Sequence, residues 1–408
     1  MQLDLCEYSP RFVDNPHATV MCVKEGSCCG ANSLRVLHLT HTDIESDSRI
    51  LKEMLCLVTS GYELSGAGVM LEEGARKSEI DFAAKLRAIK LITRKWYFLP
   101  RTLRHVASLC ELAVKMLPFS IKQKPHVVHC HDTLVLPIGY IVKLLTKAQL
   151  VYDAHELESN RNGLTPIQSR LTLWLEKLLW RSIDALIVVS PSIEAWYQRK
   201  LGHKLSAVVM NAPLFAINGV NRSTYLHDKF SIPTEKKIFI YVGIFGPGRG
   251  IELIAEVFTH PTVCSHVVFL GYGEYANELK RLESLHPNLH VHQAVAHSQV
   301  VPIVMSADFG LCLVQNVSLS DYFCLPNKLF EYCFSGVPVL ASDFPDIRAV
   351  VDAYGVGECC SLDIASIRKA VNDLSLGGKT FKFSNLESLT WQAQEKKLVD
   401  LYQRLLFI

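Results

Sequence analysis

The chain has 408 residues, too many for one core, and 49% hydrophobic with 20% charged residues exclude a disordered, collagen-like or low-complexity protein. Lys plus Arg (42) nearly balances Asp plus Glu (40), so the net charge of +2 excludes a dedicated nucleic-acid binder and leaves any electrostatic partner to a local patch. Asp4 and Glu7 argue against a secretory leader, and the best apolar stretch, Leu134 to Leu145, is too short to span a bilayer. Thirteen cysteines without a CxxC fit a reducing compartment, so the expected location is cytoplasmic, free or at a membrane surface.

Residues 1–33 form an N-terminal extension before the first strand. Short, almost uninterruptedly apolar runs then recur with helical stretches between them, as strands of parallel sheets covered on both faces do. The first set is Arg35 to Leu39, His126 to Cys130, Gln149 to Asp153, Asp184 to Val189 and Ala207 to Met210. The second is Lys237 to Val242, His266 to Leu270, Leu289 to His292, Gly310 to Val314 and Pro338 to Ala341. Pro213 to Thr234 has no clear periodicity and reads as a linker. The expected fold is α/β, with two Rossmann-like, doubly wound parallel-sheet domains facing each other across a cleft. They occupy residues 34–225 and 235–387, and the amphipathic helix at 388–408 completes the first.

Within the first domain, Lys85 to Lys124 carries ten basic residues against the single acid Glu111, interleaved with Trp96, Tyr97 and Phe98. A helix lying on an anionic membrane has this composition, and so has a solvated basic helix. His129-Cys130-His131-Asp132 and Asp153-Ala154-His155-Glu156 end two successive strands at the rim of the sheet. One reading makes His155 a donor to a sugar hydroxyl and leaving phosphate. A rival makes His129, His131, Asp132 and His155 the ligands of a metallohydrolase.

In the second domain, Gly246-Pro247-Gly248-Arg249-Gly250 lacks the spacing of a dinucleotide loop, and Gly378-Lys379-Thr380 lacks the glycine of a P-loop at Asp373. The same loop lets a ligand approach the backbone, and Arg249 supplies a fork for phosphate oxygens. Leu325 to Gly336 reads as a short helix beginning near Pro326. Its first amides and Lys328 would hold a diphosphate, and Glu331, on the same face as Asn327, would take vicinal ribose hydroxyls.

The ordered set of these motifs, with Asp47-Ser48-Arg49, Val188-Val189-Ser190, Tyr241-Val242-Gly243, Gly271-Tyr272-Gly273 and Ala307-Asp308, resembles the GT-B glycosyltransferases of family GT4, the group 1 glycosyl transferases. The resemblance implies a retaining, metal-independent transfer, without cofactor, from a nucleotide-diphosphate sugar to an acceptor hydroxyl. The acceptor would be a lipid-linked or polysaccharide-precursor glycan. By the resemblance, His155, Arg249 and Lys328 are catalytic, and Gly243, Gly246, Gly271, Val295, Leu325, Pro326, Asn327 and Glu331 hold the donor. Asp43, His131, Asp132 and Glu156 lie on the acceptor side. Two positions depart from the family pattern: Phe323 stands where an acid is usual and Ile244 where an Arg is frequent, which keeps an inactive sugar-nucleotide binder as a further alternative. Thr40 to Ile44 replaces the family's glycine-rich loop after the first strand.

Overall fold

The computed structural model describes residues 33–70, 84–213 and 222–406. Most of the N-terminal extension and residues 214–221 of the expected linker therefore lie outside the described residues. The strands are β1 (Arg35–Leu39), β2 (Glu63–Val69), β3 (Ala84–Ile89), β4 (Val127–His131), β5 (Gln149–Ala154), β6 (Ala185–Val188) and β7 (Leu205–Val208) in the first half. The second half contributes β8 (Ile238–Ile244), β9 (His266–Tyr272), β10 (Leu289–Gln293), β11 (Phe309–Cys312), β12 (Val339–Ser342) and β13 (Gly357–Cys360). Helices of the first half are α1 (Ser48–Thr59), α2 (Arg101–Lys122), α3 (Leu136–Thr146), α4 (Pro166–Leu179) and α5 (Pro191–Leu201). Then come α6 (Tyr225–Phe230), α7 (Ile251–Phe258), α8 (Ala276–Glu283), α9 (His297–Val304), α10 (Leu319–Tyr322), α11 (Asn327–Phe334), α12 (Pro345–Tyr354), α13 (Ile364–Ser375) and α14 (Trp391–Leu406).

The first sheet has the order β3-β2-β1-β4-β5-β6-β7 and the second β10-β9-β8-β11-β12-β13, with every pair parallel. Each sheet is buried on both faces, which is why strands such as β5 and β8 read as continuous apolar runs. Leu112, Met116, Leu136, Val142 and Tyr197 cover one face of the first sheet; Ile50, Met54, Trp391, Leu398 and Tyr402 cover the other. The final helix α14 thus packs on the first sheet.

Three strands escape the sequence reading, and each lacks the apolar run that betrays the others. β2 contains Gly66 and Gly68; β3 is an edge strand that exposes Lys85 and Arg87; β13 is a half-buried edge of four residues. The expected linker is corrected too. Tyr225–Phe230 is helical, and Leu226 and Ile232 are buried in the core of the second sheet. The chain leaves the first sheet under several clamps: Arg49 donates to the carbonyl of Val209 at 2.9 Å, Lys52 to that of Ala212 at 2.6 Å, and the Met210 amide donates to Gln394 of α14 at 3.2 Å.

Candidate active site

The carboxyl ends of the two sheets face a common cavity of about 720 Å³. In the second sheet the connections diverge at β8 and β11, since β9 continues on one side and β12 on the other; such a switch point opens a crevice for a ligand. The loop from β8 to α7 enters it. Gly250, the N-cap of α7, has φ +77°, and a Cβ there would stand 2.0 Å from the Leu313 carbonyl oxygen, so only glycine seats this loop on the end of β11. Arg249, with 42% of its side chain exposed, lines the cavity 3.9 Å from Asp321 Oδ1.

The other group on this wall is α11. Pro326 is its N-cap in extended conformation and offers no side-chain bond, and the first amides of a helix have no intrahelical acceptor. Leu329, Phe330 and Cys333 are buried in the core, which turns Asn327, Lys328 and Glu331 to the cavity. Lys328 Nζ lies 3.6 Å from the centroid of the Tyr241 ring, and burial lowers its pKa to about 8. A lysine whose folded pKa falls below its unfolded value disfavours folding below about pH 8, and the disadvantage fades as pH rises. Lys328→Met is therefore expected to raise the melting temperature at pH 7 while weakening donor binding, measured by thermal melts and calorimetric titration. An unchanged donor affinity would remove Lys328 from the site.

The first sheet supplies the opposite wall. His155 follows β5, with Nε2 3.0 Å from Asp153 Oδ2 and Nδ1 3.8 Å from Asp132 Oδ1. Burial opposes its charge, but the carboxylates of Asp132 and Asp153 outweigh that and lift its pKa to about 10. Asp132 is held at φ +68°, an unusual backbone for a residue other than glycine, and also lies 3.5 Å from His41 Nδ1. Burial and Asp132 push the pKa of the neighbouring Glu158 carboxyl upward, against the pull of Arg161.

Beneath His155 is a fully buried network. Arg49 lies 3.1 Å from Asp153 and 3.0 Å from Glu53; His131 Nδ1 is 3.2 Å from Asp153 and its Nε2 2.9 Å from His38; His129 bonds Tyr402 of α14 at 2.8 Å. Glu53, His129, His131 and Asp153 are close enough to share an ion. The metallohydrolase reading does not fit this arrangement. The Arg49 guanidinium already pairs with both carboxylates, Asp132 and His155 are not part of the cluster, and groups with no exposed surface cannot reach a substrate.

Of the residues expected at the site, His155, Glu156, Gly243, Arg249, Gly271, Val295, Leu325, Pro326, Asn327, Lys328 and Glu331 line the one cavity. Four do not. Gly246 turns its carbonyl to the Arg249 amide at 3.3 Å. Asp43 is buried and accepts from the Glu45 amide at 3.1 Å, holding the turn after β1. His131 is fully buried behind His155, and Asp132 meets the cavity through His155. Arg49 and Tyr241, which enter the sequence reading only as parts of motifs, and Asp321, which it assigns no role, also line the cavity. Phe323 instead packs toward the core of the first sheet, its carbonyl accepting from Ser190 at 2.7 Å, while Asp321, two residues earlier, lines the cavity.

Two family descriptions match the chain: a glycosyl transferase 4-like domain over residues 58–212 and glycosyl transferases group 1 over residues 236–375. No curated protein matches by sequence. Solved structures match over nearly the whole length. Sucrose-phosphate synthase of Thermosynechococcus elongatus is 16% identical, with TM-score 0.72, covering 91% of this chain and 99% of that one. HepE of Anabaena, in complex with UDP-glucose, is 13% identical, with TM-score 0.63 and coverage of 91% and 98%. A glycosyltransferase of Rickettsia africae is 12% identical, with TM-score 0.60 and coverage of 92% and 96%. With both halves matched in order, the chain belongs to the group 1 glycosyltransferases and has the GT-B architecture, two parallel-sheet α/β domains around a cleft.

Proposed function

We propose that the chain is a retaining, metal-independent glycosyltransferase that moves a sugar from a nucleotide-diphosphate sugar to a hydroxyl of a lipid-linked or polysaccharide-precursor glycan. One observation carries this reading: Arg249, Lys328 and the first turn of α11 converge on the cavity wall opposite the His155 cation. Breaking the anomeric bond leaves oxocarbenium character on the sugar and negative charge on the departing diphosphate. Cations and free amides fixed around that charge stabilise what grows in the transition state. Glu331, on the same face of α11, takes the ribose hydroxyls, and Val295 borders the base.

The acceptor hydroxyl attacks beside the leaving phosphate, which takes its proton, so the anomeric configuration is kept. His155, held as a cation by Asp132 and Asp153, donates to the sugar and the phosphate and does not serve as the base. Because HepE was solved with UDP-glucose, UDP-sugars are the first donors to test.

The test is a thermal-shift panel of UDP-, GDP-, ADP- and CDP-sugars, since a ligand bound only by the folded state raises apparent stability. It is followed by transfer in excess EDTA and product NMR. One nucleotide sugar is expected to stabilise the protein, with EDTA-insensitive transfer and retained configuration. Binding without turnover across a broad acceptor panel would mark an inactive binder; an inverted product or loss of activity in EDTA would overturn the mechanism.

A further inference from the structure

Sixteen of the twenty-one exposed large hydrophobic side chains among the described residues fall between Ile92 and Leu178. They lie on α2, α3, α4 and the turns before α2 and α3, and these helices cover one face of the first sheet. Soluble proteins scatter such side chains singly. The clearest stripe is on α4, where Ile167, Leu171, Trp174 and Leu178 recur at helical spacing and are 59–69% exposed. Tyr97 and Phe98, 79% and 77% exposed, extend the apolar surface beyond α2.

The charges on these helices are one-sided. Together α2, α3 and α4 carry seven Lys or Arg and two Glu. Glu176 is buried and accepts from Tyr152 and Tyr197 at 2.8 and 2.6 Å, and Glu111 is taken up by Thr93 and Lys115. The face therefore presents apolar and cationic groups together. A second copy docked symmetrically would set like charges against each other. An anionic lipid surface complements both features.

We infer that the α2–α3–α4 face docks on an anionic bilayer, its helices lying in the interface with Trp174 and its neighbours inserted among the acyl chains. The segment 85–124 is not one surface helix but an edge strand, a turn and α2, and the docking plane extends past it to α4. The plane ends at the acceptor wall: Arg161, before α4, and Arg94, before α2, both act electrostatically on His41 beside Asp132. A lipid-linked acceptor would enter the cleft from this edge.

The experiment uses the full chain and vesicle co-sedimentation, comparing phosphatidylcholine alone with mixed phosphatidylcholine and phosphatidylglycerol. Binding to the mixed vesicles only, weakened by salt, is expected. Leu171→Ser with Trp174→Ser, and Arg170→Gln with Lys177→Gln, should each lower partitioning on the order of tenfold. The altered side chains stand outside the cavity, so donor-induced thermal shifts should be unchanged. A lost shift would concern the donor site rather than this face. No sedimentation with the mixed vesicles, equal sedimentation with both, or a dimer in light scattering that the Leu171→Ser, Trp174→Ser pair abolishes would overturn the proposal.

Discussion

Arg249→Ala is expected to slow sugar transfer by about a hundredfold or more, the equivalent of roughly 3 kcal/mol of transition-state stabilisation. Three cationic side chains of Arg or Lys line the cavity. Arg49 is committed to Glu53 and Asp153, and Lys328 loses its charge above about pH 8. Arg249 is thus the fixed positive charge on the wall that the second sheet supplies, where the proposed function puts the diphosphate. Its removal also leaves Asp321, 3.9 Å away, facing the diphosphate uncompensated. Arg249→Ala with Asp321→Asn should accordingly recover part of the lost rate. The melting temperature should hardly move, because a half-exposed ion pair contributes little to folding. Donor KM and kcat measured for both variants check this; a single variant with full activity would place the diphosphate elsewhere.

What the sequence disclosed depended on how locally each feature is encoded. The helix start at Pro326, the Arg249 loop and the His155 strand end are each built within about a dozen residues, so spacing and residue type sufficed. The support of His155 is not local. Arg49 reaches the Val209 carbonyl across 160 residues and Asp153 across 104, and His129 meets Tyr402 across 273; no periodicity encodes such partners.

The departure after β1 shows the same limit. Thr40 to Ile44 is bulkier than a glycine-rich loop, and β2 makes room for it. A Cβ on Gly66 would stand 2.5 Å from Ile44 Cδ1, and one on Gly68 would stand 2.8 Å from Thr40 Cγ2, from Ile44 Cβ and from the Thr42 carbonyl oxygen. The glycines absent from the loop lie in the strand beneath it, and there they hide that strand from a search for apolar runs. Asp321 is hidden in the same way, because counting back from Glu331 puts the usual acid at Phe323, two residues further on. Counting along the chain says nothing of the turn at α10 that sends Phe323 toward the first core and Asp321 to the cavity.

A histidine held as a cation makes a distinct prediction from one that works as a base. With its pKa lifted to about 10, His155 keeps its charge throughout the neutral range, so the rate should show no limb near pH 6.5. The free-enzyme profile should instead fall above about pH 8, as Lys328 loses its proton. His155→Gln, which retains a donor but no charge, is expected to lower kcat on the order of a hundredfold and leave the limb near pH 8 in place. The stability data carry an independent sign. A folded pKa above the unfolded one stabilises fully below about pH 6.5, and the contribution disappears as pH rises through 10. Lys328 acts in the opposite direction above pH 8, so the informative quantity is the difference between wild type and His155→Gln in denaturant unfolding. That difference should be large at pH 6 and shrink toward pH 10. A wild-type rate limb near pH 6.5 that His155→Gln abolishes would show a neutral imidazole at work, and the charged role assigned to His155 would fall.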